Sequence, residues 1–482
     1  MIFRSAKIVC TLGPASNSME MIERLMHAGM DVARLNFSHG THEDHAGTIK
    51  RLREVSGRLA KPIGILADLQ GPKIRTGILV DRRPVQLTAG QRFTISNKDF
   101  PGTSAGVSTT YKRMPRDVSR GDRILLGDGL IELRVMSTTS NTVLCTVVNG
   151  GELGEHKGIN LPGVKLRIPA VTPKDHADLV FAVQHGANYI AVSFVRTAKD
   201  VLQAKTAISQ EKKNVPIIAK LEKPQAIENL DEILAVTDGV MVARGDLGVE
   251  MSPEKVPVIQ KQIISKARDA RLPVITATQM LESMTQNPRP TRAEASDVAN
   301  AVFDGSDALM LSAETAAGKY PVESVEMMDR IIREAESSNL QVLRPCPAQF
   351  NIAETAAELI CHASEELKMK VIAVFTETGS TGRLISKHRP RPPIIAFSTI
   401  QETRRRLSLY WGVVPRTISE VQNIEELVLA AEKRLLEEKL VQNGDVVGIV
   451  AGTPLFVGGT TNFMKFHVIG SKDEQVRQTK QK

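Results

Sequence analysis

The chain has 482 residues, 42% hydrophobic and 24% charged, with a formal net charge of +8. This balance excludes a disordered chain and supplies apolar material for about three domains, and no run of ~18 apolar residues offers a helical membrane span. Aromatic residues are only 4% and the basic residues are dispersed apart from Arg404-Arg405-Arg406, so anionic small substrates are expected and a nucleic-acid partner is not.

The N-terminal stretch alternates strand and helix signals. Ala6–Leu12 is a β-branched run, and Met19–His27 carries a helical pattern stopped by Gly29. Asp31–Phe37, a helix over His42–Leu59 and Pro62–Leu69 follow. From Gln70 to about Arg167 the rhythm changes to short strands, Val85–Leu87, Arg92–Ser96, Asp122–Leu126, Leu130–Met136 and Thr142–Val148, separated by Gly, Asp and Asn turns. This reads as a small all-β module inserted into an α/β domain. Thr172-Pro173-Lys174-Asp175 then starts a helix, and strands are predicted at Tyr189–Phe194, Pro216–Glu222, Gly239–Arg244, Pro273–Ala277 and Ala308–Ser312. Helical patterns lie between them at Lys199–Ser209, Gln225–Val236, Lys255–Arg271 and Arg292–Phe303, with a last one over Pro321–Ser337. Three strands before the insert and five after it predict a closed (β/α)8 TIM barrel.

A Pro-containing loop near Leu343–Gln349 closes that domain. Helix Ile352–Leu367, strands Val371–Phe375 and Ile394–Phe397, helix Glu425–Leu440 and strand Val446–Val450 predict a smaller doubly wound α/β domain. The expected division is 1–69 plus 169–343 for the barrel, 70–168 for an inserted β-barrel lid and 344–482 for the C-terminal domain. Arg4 and Lys7 interrupt any secretory leader. Cys10, Cys145, Cys346 and Cys361 are far apart with no CxxC pair, as expected in a reduced, cytoplasmic compartment.

In a parallel barrel the C-terminal strand ends converge on one mouth, where active sites lie. Strand two ends Arg34-Leu35-Asn36-Phe37-Ser38, strand three at Asp68 and strand five Lys220-Leu221-Glu222. Strand six runs into Arg244-Gly245-Asp246, strand seven ends with Thr276 and Thr278, and strand eight ends Ser312-Ala313-Glu314. Polar residues commonly terminate strands, but charges of both signs recurring at one mouth point to a site. Glu222 and Asp246 on neighbouring strand ends are hard carboxylates that suit Mg²⁺, or else a salt-bridged pair. Lys220 is two residues before Glu222 and shares its face. It can stabilise a transferring phosphoryl group, form a Schiff base, or only neutralise Glu222. Arg34 and Arg75 are candidate phosphate clamps, and the inserted β module is a candidate lid that excludes water. His39, His42 and His45 have no paired cysteines, so no zinc site is expected. In the last domain, Thr376-Glu377-Thr378-Gly379-Ser380-Thr381-Gly382 follows a strand and opens a helix, which supplies the hydroxyls and amides of a phosphate site or else is a plain turn with an N-cap. Nearby Arg383, Lys387, His388, Arg389 and Arg391 strengthen that reading.

Together these residues resemble the pyruvate kinase family, in the bacterial form without an extra C-terminal domain. The resemblance covers essentially the whole chain, through KIVCTLGPAS, DVARLNFSHG, GPKIRTG, HKGINLPG, MVARGDLGVE, ATQMLESM with PRPTRAEASDVANAV, and DALMLSAETAAGKYP. It implies phosphoryl transfer from phosphoenolpyruvate to ADP giving pyruvate and ATP, the last step of glycolysis, in a homotetramer with a mobile lid and a regulatory C-terminal domain. Carried over by position, Arg34, Lys220, Gly245, Asp246 and Thr278 meet the substrate, and Lys220 acts on the transition state. Glu222 and Asp246 hold Mg²⁺ or Mn²⁺. Asn36, His39, Arg75 and Lys157 meet the nucleotide, and Ser312 with Glu314 belongs to a proton-relay region. Asn36, Ser38, Asp68 and the carbonyl of Leu69 form a monovalent-cation pocket. Many members have a lysine in the segment that reads Ala313-Glu314-Thr315-Ala316-Ala317-Gly318 here. The loop of Thr376, Thr378, Gly379, Ser380 and Thr381 corresponds to the family's phosphorylated-effector site. A metal-dependent aldolase or lyase would share Lys220, Glu222 and Asp246, but would need neither Arg75 nor Lys157.

Potassium is a separate question. Asn36 and Ser38, two apart on a strand, share a face, and Asp68 ends the adjacent strand. Lys73 and Arg75, also two apart, are expected to point towards the same mouth. Family members with glutamate at the Lys73 position tend to require K⁺, and those with lysine tend not to. Leu69-Gln70 fits the independent pattern and Thr76 the dependent one. An ammonium group can supply the charge that K⁺ would bring, so K⁺ is not expected to be required.

Overall fold

Eight parallel strands close into a barrel in chain order. They are Lys7–Leu12, Val32–Asn36, Gly64–Asp68, Tyr189–Val192, Ile217–Leu221, Gly239–Ala243, Val274–Ala277 and Ala308–Leu311. The structure, a computed structural model, describes residues 3–164, 167–338, 351–454 and 461–471. Alternate strand residues fill the barrel interior, including Val9, Leu66, Tyr189, Ile218, Met241, Ile275 and Met310. Their neighbours pack outward against the helices in a separate, larger core. That two-sided burial is why the strands read as nearly continuous apolar runs.

Helix starts follow local chemistry. Thr172 and Asp175 form a capping box with Pro173 in the first turn, and Thr291 with Glu294 repeats the capping box. The pattern over Gln225–Val236 is two helices, Pro224–Glu228 and Leu230–Val236, broken at Asn229, whose side chain binds the Arg196 carbonyl instead.

Between strand three and helix Pro173–Gln184 the chain forms the inserted β module. Its hydrogen bonds run through a six-stranded sheet and a two-stranded ribbon that pairs Val85–Leu87 with Gly151–Leu153. The six-stranded sheet has the order Ile159–Asn160, Arg123–Leu126, Ile131–Thr138, Thr142–Asn149, Arg92–Ser96, Gly106–Ser108. Both enclose one core that contains Leu87, Phe93, Ile124, Leu133, Cys145 and Leu153. A single helical turn, Met114–Asp117, also occurs there, where only strands are predicted.

The C-terminal sheet has five strands in the order Val413–Thr417, Ile394–Ser398, Val371–Phe375, Val446–Ala451, Phe463–Val468, the last antiparallel. Its two edge strands and the helix Gln401–Leu407 are additions to the predicted elements. This unit seats on the N-terminal ends of the barrel strands. Lys7, first in strand one, donates to the Val413 carbonyl at 2.8 Å, and Tyr189, first in strand four, to the Arg406 carbonyl at 2.7 Å. Asp307, just before strand eight, pairs with Lys387 at 2.6 Å and Arg389 at 2.9 Å. The opposite end, the mouth, is left to the lid. The predicted loop Leu343–Gln349, the 343/344 boundary and Cys346 lie outside the described residues. Among those residues no helix is long and apolar enough to cross a membrane, and Cys10, Cys145 and Cys361 are free, buried thiols.

Candidate active site

The barrel mouth carries a row of alternating charges. Arg34 Nε donates to Asp68 Oδ2 at 2.7 Å, Asp68 Oδ1 lies 3.2 Å from Lys220 Nζ, and Lys220 Nζ lies 3.0 Å from Glu222 Oε1. Strand register builds the row: Asn36 stands opposite Asp68, and strands two, three, four and five are successive neighbours. Arg34 also donates to the Thr11 hydroxyl at 3.0 Å. All four charged side chains are largely buried. Burial disfavours the Lys220 ammonium, but Asp68 and Glu222 outweigh it and raise its pKa above the ordinary lysine value. Burial likewise works against the Asp68 carboxylate, and Lys220 with Arg34 reverses it. Glu222 stays raised, because burial and the Asp246 carboxylate together exceed the help from Lys220.

Strand six ends at Ala243, one residue before the predicted Arg244, and Arg244–Glu250 is a short helix. Arg244 is drawn away from the ladder, to the Thr278 carbonyl at 2.8 Å and Asp297 at 2.7 Å. This turn brings Gly245 N onto Thr278 Oγ1 at 2.7 Å and sets Asp246 in the first helical turn. Thr278 holds φ +70°, a left-handed conformation costly for a β-branched residue. Thr276 does not face the mouth. It is fully buried, with its hydroxyl 2.7 Å from that of Ser306.

Other predicted residues fall into place less directly. Strand two ends at Asn36, so Ser38 lies on a turn and not on the strand. Its N–H donates to Asn36 Oδ1 at 3.1 Å, and this bond, not strand alternation, brings the two together. The Leu69 carbonyl accepts from Ser193 Oγ at 2.7 Å. His39 is exposed, and its carbonyl receives His45 Nε2 at 3.0 Å. Glu314 is fully buried and accepts from Ser312 N at 2.7 Å and Leu281 N at 3.1 Å. In the lid, Arg75 NH1 donates to the His156 carbonyl at 3.1 Å, and exposed Lys157 is anchored through its N–H to Thr76 Oγ1 at 2.9 Å. Lys73 lies with Asp246, Phe194 and Lys223 on a narrow cleft between lid and barrel, whereas Arg75 does not line it.

Sequence reasoning missed the end of strand four. Ser193 Oγ receives Lys220 Nζ at 2.7 Å, and Phe194 N donates to Glu222 Oε2 at 2.7 Å. The strand-end rule applied to strand four would have found both.

Among the described residues no group of three or more His, Cys, Asp or Glu side chains is placed to hold a metal alone. Glu222 and Asp246 are two hard oxygen donors, and the Asp246 carboxylate raises the cost of charging Glu222. A divalent ion completed by water and substrate oxygens fits that pair.

In the C-terminal unit, Thr376–Gly379 follows strand Val371–Phe375 and Gly379, at φ +87°, opens helix Ser380–Lys387, as predicted. Thr376 Oγ1 accepts from Gly379 N at 2.9 Å, and Thr378 Oγ1 donates to Ser380 Oγ at 3.0 Å. Thr381 turns inward, 2.7 Å from Thr461 Oγ1. Three of the five basic residues expected beside the loop are committed elsewhere: Lys387 and Arg389 to Asp307, His388 to Glu354.

Comparison with known proteins agrees along 97% of the chain. Residues 3–325 match the family model described as pyruvate kinase, barrel domain, and 354–467 match pyruvate kinase, alpha/beta domain. A pyruvate kinase of Sporosarcina psychrophila is 45% identical over 474 residues, 97% of this chain and 81% of that protein. One from Staphylococcus aureus (strain MRSA252) is 46% identical over 475 residues with the same coverage. A crystal structure of a pyruvate kinase from Cryptosporidium parvum superposes with a TM-score of 0.90 at 38% identity, covering 97% of this chain and 96% of that one. Barrel, mouth and C-terminal sheet therefore support one conclusion: the chain belongs to the pyruvate kinase family and is a phosphotransferase.

Proposed function

We propose that the mouth transfers the phosphoryl group of phosphoenolpyruvate to ADP, giving pyruvate and ATP in the cytoplasm. The observation that carries this reading is the row Arg34–Asp68–Lys220–Glu222. Two cations, held by carboxylates on a rigid barrel, lie where a phosphoryl group would pass. Their charge acts on the three oxygens of the group in transit, and the step asks for position and field more than covalent help. A lysine flanked by two carboxylates is suited to this role and poorly suited to forming a Schiff base, which needs a neutral amine. When bound to Glu222 and Asp246, Mg²⁺ or Mn²⁺ polarises substrate oxygens as a Lewis acid. Gly245 and Thr278 orient the substrate's carboxylate end. Ser312, fixed by Glu314, lines the path of the proton delivered to carbon. Lys157 and Arg75 bring the lid's charge to the nucleotide phosphates beside Asn36 and His39. The test is pyruvate release from phosphoenolpyruvate with and without ADP. ADP-dependent release supports the reading, and ADP-independent release points to a lyase.

Three further assignments belong to this reading. The first is that Lys73, on the cleft with Asp246, stands in for K⁺. Activity in tetramethylammonium buffer is expected to change little on adding K⁺, whereas Lys73→Glu is expected to create a dependence of about tenfold or more, since a lost ammonium leaves a few kcal/mol of charge unbalanced. Strong K⁺ stimulation of the unsubstituted enzyme overturns this.

The second is that the Thr376–Ser380 turn binds a phosphorylated effector. Thr378→Glu sets a carboxylate beside Ser380, and is expected to raise the half-activating concentration of fructose 1,6-bisphosphate, a sugar monophosphate or a nucleoside monophosphate, whichever activates, more than about tenfold by like-charge repulsion. Unaltered activation would leave the loop a plain turn. The third is a homotetramer, for which exposed Ile352, Leu359 and Phe466 offer apolar surface.

A further inference from the structure

Glu250 closes the helix Arg244–Glu250 that begins beside Asp246, one turn away on the same face. Its side chain is only 1% exposed, although nothing in the proposed chemistry uses it. Two donors converge on its Oε1. Lys223 Nζ, from the residue after Glu222, lies at 2.6 Å, and Asn160 Nδ2, from the lid strand Ile159–Asn160, lies at 2.9 Å. One carboxylate oxygen thus joins three separate pieces of chain: the end of strand five carrying Glu222, the helix carrying Asp246, and the lid. Lys223 is fixed further, its ammonium 5.5 Å from the centroid of the Phe194 ring, and the Phe194 N–H holds Glu222. On the lid side, Asn160 is three residues beyond Lys157, and the lid turn at Gly129 also lies against this helix, where an added Cβ would meet Val249 at 3.7 Å.

We propose that Glu250 is a positioning residue that ties the seating of the lid to the spacing of the two carboxylates meant for the divalent ion. The inference rests on the reading of Glu222 and Asp246 as that ion's ligands. When the lid seats, Asn160 and Lys223 share Glu250, and the helix that carries Asp246 is held against the end of strand five. When the lid lifts, Glu250 keeps only Lys223, and the lid no longer helps to hold the C-terminal end of this helix.

The experiment uses the full chain and Mn²⁺ as the probe. Asn160→Ala removes the lid arm and leaves the buried ion pair intact. It is expected to raise the KM for ADP about three- to tenfold, the size of one lost hydrogen bond, with kcat within about twofold. Hydrogen exchange gives a second readout: Mn²⁺ is expected to slow exchange at the Ile159 and Asn160 amides in the unsubstituted enzyme, but not in Asn160→Ala. Glu250→Gln is expected to weaken Mn²⁺ binding, measured by titration without substrates, by about three- to tenfold. Removing one partner of a buried pair can prevent folding, and in that case Asn160→Ala decides. An unchanged KM and unchanged Mn²⁺ protection in Asn160→Ala overturn the coupling. An unsubstituted enzyme that fails to bind Mn²⁺ overturns the metal reading and this inference with it.

Discussion

Lys220→Met is expected to lower kcat for ADP phosphorylation by about 10²–10³, the usual consequence of removing one preorganised charge from a transition state. Methionine retains the apolar stem, and Ala219 and Leu221 on either side stay buried in the strand. The ammonium, by contrast, touches Asp68, Glu222 and the Ser193 hydroxyl. Asp68 Oδ1 lies 3.2 Å from the ammonium, so the Lys220 charge, with that of Arg34, sustains the buried carboxylate. The substitution removes the cation that lies between Asp68 and Glu222 and leaves Arg34 as the remaining cation of that row. Steady-state assays measure the loss, and circular dichroism checks the fold. Proton exchange at C3 of pyruvate is expected to persist, because Glu222 and Asp246 are untouched. Wild-type ADP phosphorylation by the variant would remove Lys220 from the mechanism.

Asp307→Asn is expected to destabilise the fold by about 3–5 kcal/mol at pH 7. Its carboxylate faces Lys387 and Arg389 from the C-terminal unit and also accepts from Val274 N at 2.8 Å. An amide keeps the shape but leaves two buried cations without a counter-charge. Burial already holds the Lys387 amine down at about 8 despite Asp307. Burial also opposes the Asp307 carboxylate, yet Arg389 and Lys387 lower its pKa below the ordinary carboxylate value. A depressed folded value means that the contribution is complete above that ordinary value and is lost as pH falls through the folded one. The part of the gap that the Asp307 charge contributes, read by urea denaturation of native and variant proteins, is therefore expected to be lost as pH falls below about 4. Equal urea midpoints at pH 7 would show that this pair does not hold the two units together.

The barrel was legible because its strands are buried on both faces and separated by capped helices, so run length and Thr-Pro-Lys-Asp punctuation sufficed. The mouth was legible for a related reason: strand order alone brings Asp68, Lys220 and Glu222 together. What stayed hidden depends on contacts remote in sequence or on unusual backbone. Arg244–Glu250 is short and contains two glycines, and its start depends on Arg244 reaching Asp297. The left-handed Thr278 contradicts the preference of a β-branched residue. Thr381, Lys387 and Arg389 looked like a ligand cluster locally, but their partners, Thr461 and Asp307, lie roughly 80 residues away.

The lid interrupts the barrel between two strands that must become neighbours, since Leu66 of strand three pairs with Tyr189 of strand four. Closing that seam across roughly 100 flexible residues costs about 2 kcal/mol more than closing a loop of roughly ten. The lid has its own core, which runs from Ile74 to Val164. Its folding draws the two ends together and shortens the loop that the seam must span. Assembly order thus becomes a property of the insertion: a lid that collapses first speeds closure of the barrel, and a lid slow to fold leaves strand three with an open edge for another chain to pair with during synthesis.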